Sequence, residues 1–294
     1  MFEFDSADDF IAYYQKAYSK TILRARYEYK SREVALLCVR IANRLVSLPY
    51  LSMGAVELFP KSFDIESCSN IEIRADFPLN DGAYTDKHLY EFDLSTYKSP
   101  RDIRRKINKA ERNSINVRKY NYENSLDNKA SPYLNDFYLV YSKRMREIGV
   151  PALSKKTIVQ RVSSKRYILF IAYYNNLPIG ASSLNLISDD YFENELFSTD
   201  SKYHRLYTSY ALHAEMMRCS KLRGARIYSM GRSTKNSSVS NYKEHWNSRE
   251  VDLYWHNSQR KNRQFTYKII SWFWSKLPYR LTVVLGEYAH RRIY

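Results

Sequence analysis

Apolar and polar positions recur at helical spacing in some stretches of this chain and alternate strictly in others, and the switches divide it into elements. Ala7, Phe10, Ile11, Tyr14 and Ala17 follow an Asp- and Ser-rich start, which predicts a capped amphipathic helix over residues 5–18. From Thr21 to about Tyr50 the pattern turns β-like, with runs at 34–39 and 44–50. Ser69 to Phe77 and Leu89 to Leu94 alternate as half-buried strands do. Ser99-Pro100-Arg101-Asp102 then predicts a helix start, with Ser99 as the cap, Pro100 in the first turn and Asp102 facing the free amides. Its apolar stripe is Ile103, Ile107 and Ala110; the opposite face carries Arg104, Arg105, Lys109 and Arg112. A strand is expected over 115–120.

The second half repeats this order. Leu134 to Met145 and Lys155 to Val162 read as helices. Tyr167 to Tyr174, Ile179 to Leu186 and Tyr191 to Ser198 read as a meander turned by Asn175-Asn176 and Asp189-Asp190. Arg205 to Leu222 is a helix ended by Gly224, followed by strands at 227–230 and 251–255. Helix, antiparallel strands, helix and strand in each half predict an α+β protein of two related subdomains in one compact body. The expected divisions are residues 1–125, 126–258 and a helical tail at 259–294. Between the last two strands, Gly224 to Trp246 reads as a short strand ending on Gly231-Arg232-Ser233, then a polar loop leading to Tyr242-Lys243-Glu244-His245-Trp246.

Composition narrows the picture. A hydrophobic share of 44% with 27% charged residues is that of a globular protein, and only 7 Gly and 8 Pro leave little room for a linker. The formal charge of +16 favours polyanionic partners: RNA, anionic lipid or a phosphate-rich donor such as coenzyme A. Cys38, Cys68 and Cys219 are too widely spaced for a zinc site or a disulfide scaffold, so a reducing cytoplasm and no metal are expected. The acidic N-terminus lacks a signal pattern, and no apolar run is long enough to span a bilayer.

Several separated pieces, in order, resemble the Fem-type (FemAB-like) branch of the GNAT acyltransferase superfamily. They are Ser47-Leu48-Pro49-Tyr50, the stretch 100–110, Arg144 to Pro151, the strand and turn at 173–181, and Gly231-Arg232-Ser233 with Tyr242-Lys243 and Trp246. The resemblance covers roughly residues 40 to 255. It implies two GNAT-like subdomains and transfer of an acyl or aminoacyl group to an amine of a cell-wall precursor or other envelope glycan. The donor stays open between acyl-CoA and aminoacyl-tRNA. Two departures stand out: no long heptad-patterned insertion forms a coiled-coil arm, and the Gly-rich turn that grips coenzyme A in ordinary GNAT enzymes is missing. Its place is taken by Tyr203-His204-Arg205 and Thr208-Ser209, where helix N-terminal amides and Arg205 remain available to phosphate.

Such a transfer needs a neutral amine, donors for an oxyanion and a route for the proton. The candidate proton acceptors are Glu195 and His245, against a salt-bridged carboxylate and a packed imidazole. Arg232, Lys243, Tyr242, Trp246 and Lys155 are the candidate substrate contacts; Tyr203, His204, Arg205, Thr208 and Ser209 are the donor contacts. Arg101, Arg104, Arg105 and Lys109 form a basic surface for tRNA or a lipid-linked pyrophosphate, or simply a solvated face. Trp272, Phe273 and Trp274 among basic residues suit either a peripheral inner-membrane contact or a closing helix on the core. The expectation is a cytoplasmic transferase; the rival is a non-catalytic RNA- or membrane-surface-binding protein on the same fold.

Overall fold

The computed structural model describes residues 7–29, 32–41, 44–52, 54, 66–67, 71–76, 84–123, 132–256 and 264–293. The strands are β1 (Leu23–Tyr29), β2 (Arg32–Ile41), β3 (Arg44–Ser47), β4 (Glu66–Ser67), β5 (Ile71–Ala75), β6 (Tyr84–Asp93), β7 (Asn116–Tyr120), β8 (Tyr167–Tyr174), β9 (Leu177–Leu186), β10 (Tyr191–Thr199), β11 (Ile227–Thr234) and β12 (Arg249–His256). The helices are α1 (Ala7–Tyr18), α2 (Arg101–Arg112), α3 (Pro132–Glu147), α4 (Lys155–Val162), α5 (Thr208–Leu222), α6 (Ser238–Glu244), α7 (Gln264–Lys276) and α8 (Tyr279–Ile293). The predicted α+β class holds.

All the described strands join one mixed sheet in the order β4-β1-β2-β3-β5-β12-β6-β11-β10-β9-β8-β7. Pairing crosses the expected division near residue 125. Strand β6 lies between β12 and β11, and β7 pairs antiparallel with β8. The first-half helix α2 packs with α5 over a shared core that includes Ile103, Leu212 and Met216. Hydrophobic periodicity marks elements but not their neighbours, so this interleaving leaves no trace in the pattern.

Strand β8, YILFIAYY, shows why a nearly unbroken apolar run is needed here. Ile168, Phe170 and Ala172 face the α2–α5 layer, whereas Tyr167, Leu169 and Ile171 face α3 and α4 with Phe137, Val140 and Ile158. Both faces are covered, so strict apolar–polar alternation would place polar groups in a core. Each such buried side chain contributes about 1.5–3 kcal/mol of transfer free energy.

Three local expectations are corrected. Pro100, not Ser99, occupies the cap of α2 and makes no side-chain cap bond. The helix expected from Arg205 is broken: a 3₁₀ turn (Ser201–Leu206) precedes α5, and Tyr207 between them adopts φ 61°. The polar loop before Trp246 contains α6, capped by Ser237, whose hydroxyl accepts from the Ser240 amide. Seven residues make too few turns to leave a readable stripe. Cys38 and Cys219 are buried, and Cys68 lies outside the described residues. No helix among the described residues is long and apolar enough to cross a membrane.

Candidate active-site cleft

Strands β10 and β11 run parallel and pair only through Tyr191↔Ile227, Phe192↔Tyr228 and Glu193↔Ser229. Beyond that point each has a register irregularity, β10 against β9 after Asn194 and β11 against β6 after Ser229. Each strand then follows its outer neighbour, and the two part. Bulges bend a strand and re-aim its side chains, and here they open a gap in the middle of the sheet. Gly231 sits at the fork with φ +70°, and a Cβ there would stand 2.9 Å from the Asn194 carbonyl oxygen. Only glycine fits both the conformation and the space.

The gap is the floor of a cleft of about 760 Å³. It is lined by His204 of the 3₁₀ turn, by Thr208 and Ser209 at the start of α5, and by Tyr242 and Lys243 of α6, whose Tyr242 ring lies 5.3 Å from that of Tyr210 on α5. Tyr50 and Ser52 follow β3, and Arg144, Met145 and Ile148 come from the end of α3. Concave sites with a few convergent polar groups are the usual places for ligands.

Lys243 is buried beneath this cleft. Its ammonium donates to the carbonyls of Met230, Gly231 and Arg232 at 2.7, 2.9 and 3.3 Å, and it lies 5.4 Å from the Tyr90 ring centroid. Burial pulls its pKa down to about 7; Glu193 opposes the shift and Arg232 adds to it. Glu193 is also buried and accepts from the Ser52 amide at 3.3 Å through Oε1, while Oε2 has no hydrogen-bond partner. Burial raises its pKa to about 7, with Ser52 and Arg232 working against the rise. Two opposite titratable groups are thus poised near neutrality in one cleft, a pattern concentrated at functional sites.

Glu195, two residues along the same strand, lines the same cleft with both oxygens engaged. Arg161 is paired with Oε1, and the Tyr18 hydroxyl donates to Oε2 at 3.0 Å. Arg161 is itself buried, packed 4.7 Å from the Tyr18 ring and 5.8 Å from those of Tyr50 and Tyr167. Burial pushes the Glu195 pKa up, and Arg161 pulls it back. This carboxylate is an ion-pair partner held in an aromatic cage.

Arg232 and Lys243 both line the cleft, and the Lys243 ammonium meets the Arg232 carbonyl. The Arg232 guanidinium donates to the Leu51 carbonyl at 3.2 Å and lies 5.5 Å from the Trp255 ring. Tyr242, His204, Thr208 and Ser209 also reach the cleft, whereas Tyr203 and Arg205 do not line it. His245 is exposed outside it, and Trp246 is a fully buried core residue stacked on Tyr210 at 5.6 Å. Lys155 hydrogen-bonds Asn135 away from the cleft.

The residues the pattern did not single out are Glu193, Arg161 and His213. The His213 ring stacks on Phe197 at 4.4 Å and its Nδ1 meets the Tyr228 hydroxyl at 2.8 Å. Burial, with help from Lys243, depresses its pKa, so the imidazole is neutral. Buried polar residues on otherwise apolar strands and helices were the available signal. Ser198 Oγ and Thr208 Oγ1, both at the cleft, are buried with no hydrogen-bond partner. Buried hydroxyls are normally satisfied, and a ligand in the cleft could supply that contact.

The basic face of α2 borders the α5 end of the cleft. Arg101, Arg104, Arg105 and Lys109 are all exposed. The Lys109 ammonium lies 5.5 Å from the Tyr207 ring, and that of Lys106 lies 5.0 Å from Tyr210, a cleft residue. No group of His, Cys, Asp or Glu among the described residues is arranged to hold a metal ion.

No protein-family model and no curated protein matches the chain. Solved structures do. L-PGS from Bacillus licheniformis matches with a TM-score of 0.55 at 11% identity, over 92% of this chain and 99% of that one. FemX matches with a TM-score of 0.57 at 8% identity, over 87% and 93%. The C-terminal domain of a protein assigned as a lysylphosphatidylglycerol synthetase from Agrobacterium fabrum matches at 0.56 and 7% identity, over 89% and 91%. The chain therefore has the fold expected from its resemblance to the FemAB-like branch, over nearly its whole length. Within that fold, its particular cleft is the one built around Glu193 and Lys243.

Proposed function

We propose that this protein is an aminoacyl- or acyltransferase that moves a group from a phosphate-rich donor to an amino group on a cell-envelope glycan or peptidoglycan precursor. The observation that carries the proposal is that Glu193 and Lys243, both buried and both brought to a pKa of about 7, line one cleft at the fork between β10 and β11. The fold shared with FemX and L-PGS supports it.

In this reading Glu193 takes a proton from the substrate ammonium and leaves the neutral amine that attacks, because a carboxylate with a pKa near 7 is matched to that task at neutral pH. The amine nitrogen forms the new bond to the acyl carbon. The ester bond to tRNA, or the thioester bond to coenzyme A, breaks; the proton that the nitrogen sheds after attack goes to the leaving oxygen or sulfur, and Glu193 returns the first proton to solvent. Lys243 holds the backbone of the fork in place and, when protonated, offsets negative charge developing on the carbonyl oxygen. Arg232 and Arg144 orient an anionic substrate, and the α5 amino terminus with Thr208 and Ser209 faces the donor phosphates. The exposed arginines of α2 extend this electropositive path beyond the cleft, as a tRNA or nucleotide-bearing donor requires. The reaction belongs on the cytoplasmic side, where such donors are made.

The test is transfer of label from acyl-CoA and, separately, from charged tRNA to muropeptide and amino-sugar acceptors. Glu193→Gln should lower transfer from one donor class about a hundredfold or more while leaving donor binding intact. Should neither donor bind and envelope glycan masses stay the same without the protein, the non-catalytic binding reading takes its place.

A further inference from the structure

More than half of the exposed large apolar side chains among the described residues fall between Ile270 and Tyr288, on the two C-terminal helices. Helix α8 is inside out. Leu281, Val284, Leu285 and Tyr288, at the i, i+3, i+4 and i+7 spacing of one helical stripe, face solvent, and Val284 is 72% exposed. Its inward face is small: Thr282 is buried, and a Cβ on Gly286 would stand 2.9 Å from the Ala152 carbonyl oxygen. Helix α7 exposes apolar side chains as well. Ile270, Trp272 and Phe273 point outward, whereas Ser271 hydrogen-bonds the Ile148 carbonyl at 3.1 Å and Trp274 is buried.

The helices are nevertheless anchored. Arg146 Nε donates to the Leu277 carbonyl at 2.6 Å, and the hydroxyls of Ser142 and Tyr279 meet at 2.8 Å. The apolar surface is therefore a built feature of the folded chain, of the kind that marks an interaction site. Charge selects its occupant. Residues 258–294 hold eight Lys and Arg against the single acid Glu287, and Lys276 and Arg280 lie exposed within the patch. An apolar stripe with aromatic residues and flanking cations fits the boundary between headgroups and acyl chains of an anionic bilayer.

We infer that α7 and α8 form a membrane-docking surface that seats the protein on an anionic bilayer. Its position gives the docking a consequence. Helix α7 rests on the Ile148–Gly149 turn, Ile148 lines the cleft, and Gly149 has no room for a Cβ against Ser271. Docking through α7 brings that rim of the cleft close to the lipid surface, within reach of a lipid-linked molecule. The docking itself does not depend on the transferase reading.

The experiment is co-sedimentation with vesicles of equal parts phosphatidylglycerol and phosphatidylethanolamine, and with pure phosphatidylcholine, at low and high salt. Trp272 is the exposed tryptophan of the four, so its emission should shift to the blue when the patch enters the interface. Val284→Asp and, on the other helix, Phe273→Ser should each weaken binding to anionic vesicles by about tenfold or more without altering the fold. Both positions are exposed, so neither substitution disturbs a core. Wild-type protein that stays in the supernatant with anionic vesicles overturns the inference. So does binding that both substitutions leave intact, or a stable dimer in solution that they dissolve.

Discussion

Glu193 and Glu195 sit two residues apart on one strand and line one cleft, yet they are different chemical groups. Glu195 has a guanidinium and a phenol on its two oxygens and is held as a structural ion. Glu193 has the Ser52 amide on Oε1 and no hydrogen-bond partner on Oε2, with Arg232 acting on it only through charge. Burial alone does not make a carboxylate reactive. What separates the pair is whether the buried charge has been satisfied by the protein itself or left for a substrate.

The sharpest way to break this contrast is to neutralise each carboxylate in turn. Glu195→Gln strands the buried Arg161 charge and should cost about 3 kcal/mol of stability in urea unfolding. Glu193→Gln should leave stability unchanged or raised at pH 8, while transfer falls about a hundredfold or more. Equal stability losses in the two variants would erase the distinction.

The pH dependence follows from the same pair. The folded Glu193 pKa, about 7, lies above the ordinary carboxylate value, so the folded state holds its proton more tightly. Its ionisation therefore takes stability away as pH rises from about 4.5 to 7, and Glu193→Gln removes that loss. Lys243 has the opposite slope. Its pKa is about 7 in the fold against 10.5 unfolded, so stability falls as pH drops through that window. Transfer should show a rising limb near pH 7 in kcat/KM that disappears in Glu193→Gln.

Gly231→Ala tests the fork between β10 and β11, where Glu193 is in the last paired position. The added methyl meets the Asn194 carbonyl in a left-handed backbone, so a loss of about 1–3 kcal/mol is expected, read as a lower Tm. Because Lys243 bonds the Gly231 carbonyl, transfer should fall as well. The smallest effect is expected at His245, which is exposed outside the cleft. His245→Ala should change stability by less than about 0.5 kcal/mol and leave the rate alone.

Much of this protein was legible as pattern. Helical and alternating periodicities located most of the described elements, since burying one face of a helix or strand imposes its spacing on the chain itself. The basic face of α2 and the proximity of Arg232 to Lys243 were readable for a similar reason, because a strand–loop–helix unit is local. Glu193 was not readable. It and Glu195 share a strand, a face and a residue type, and what distinguishes them is Arg161, which is 34 residues from Glu195 in sequence.

The sequence by itself determined the α+β character, the order of elements and the positive charge, because each depends on composition or on neighbours a few residues away. Tertiary structure decided the order of strands in the sheet, the fork between β10 and β11, and which acid is left with a free oxygen. It also turned the apolar stripe of α8 outward, where an amphipathic pattern alone would place it against a core. These are properties of long-range packing: a side chain's pKa and exposure are set by what arrives beside it from distant parts of the chain.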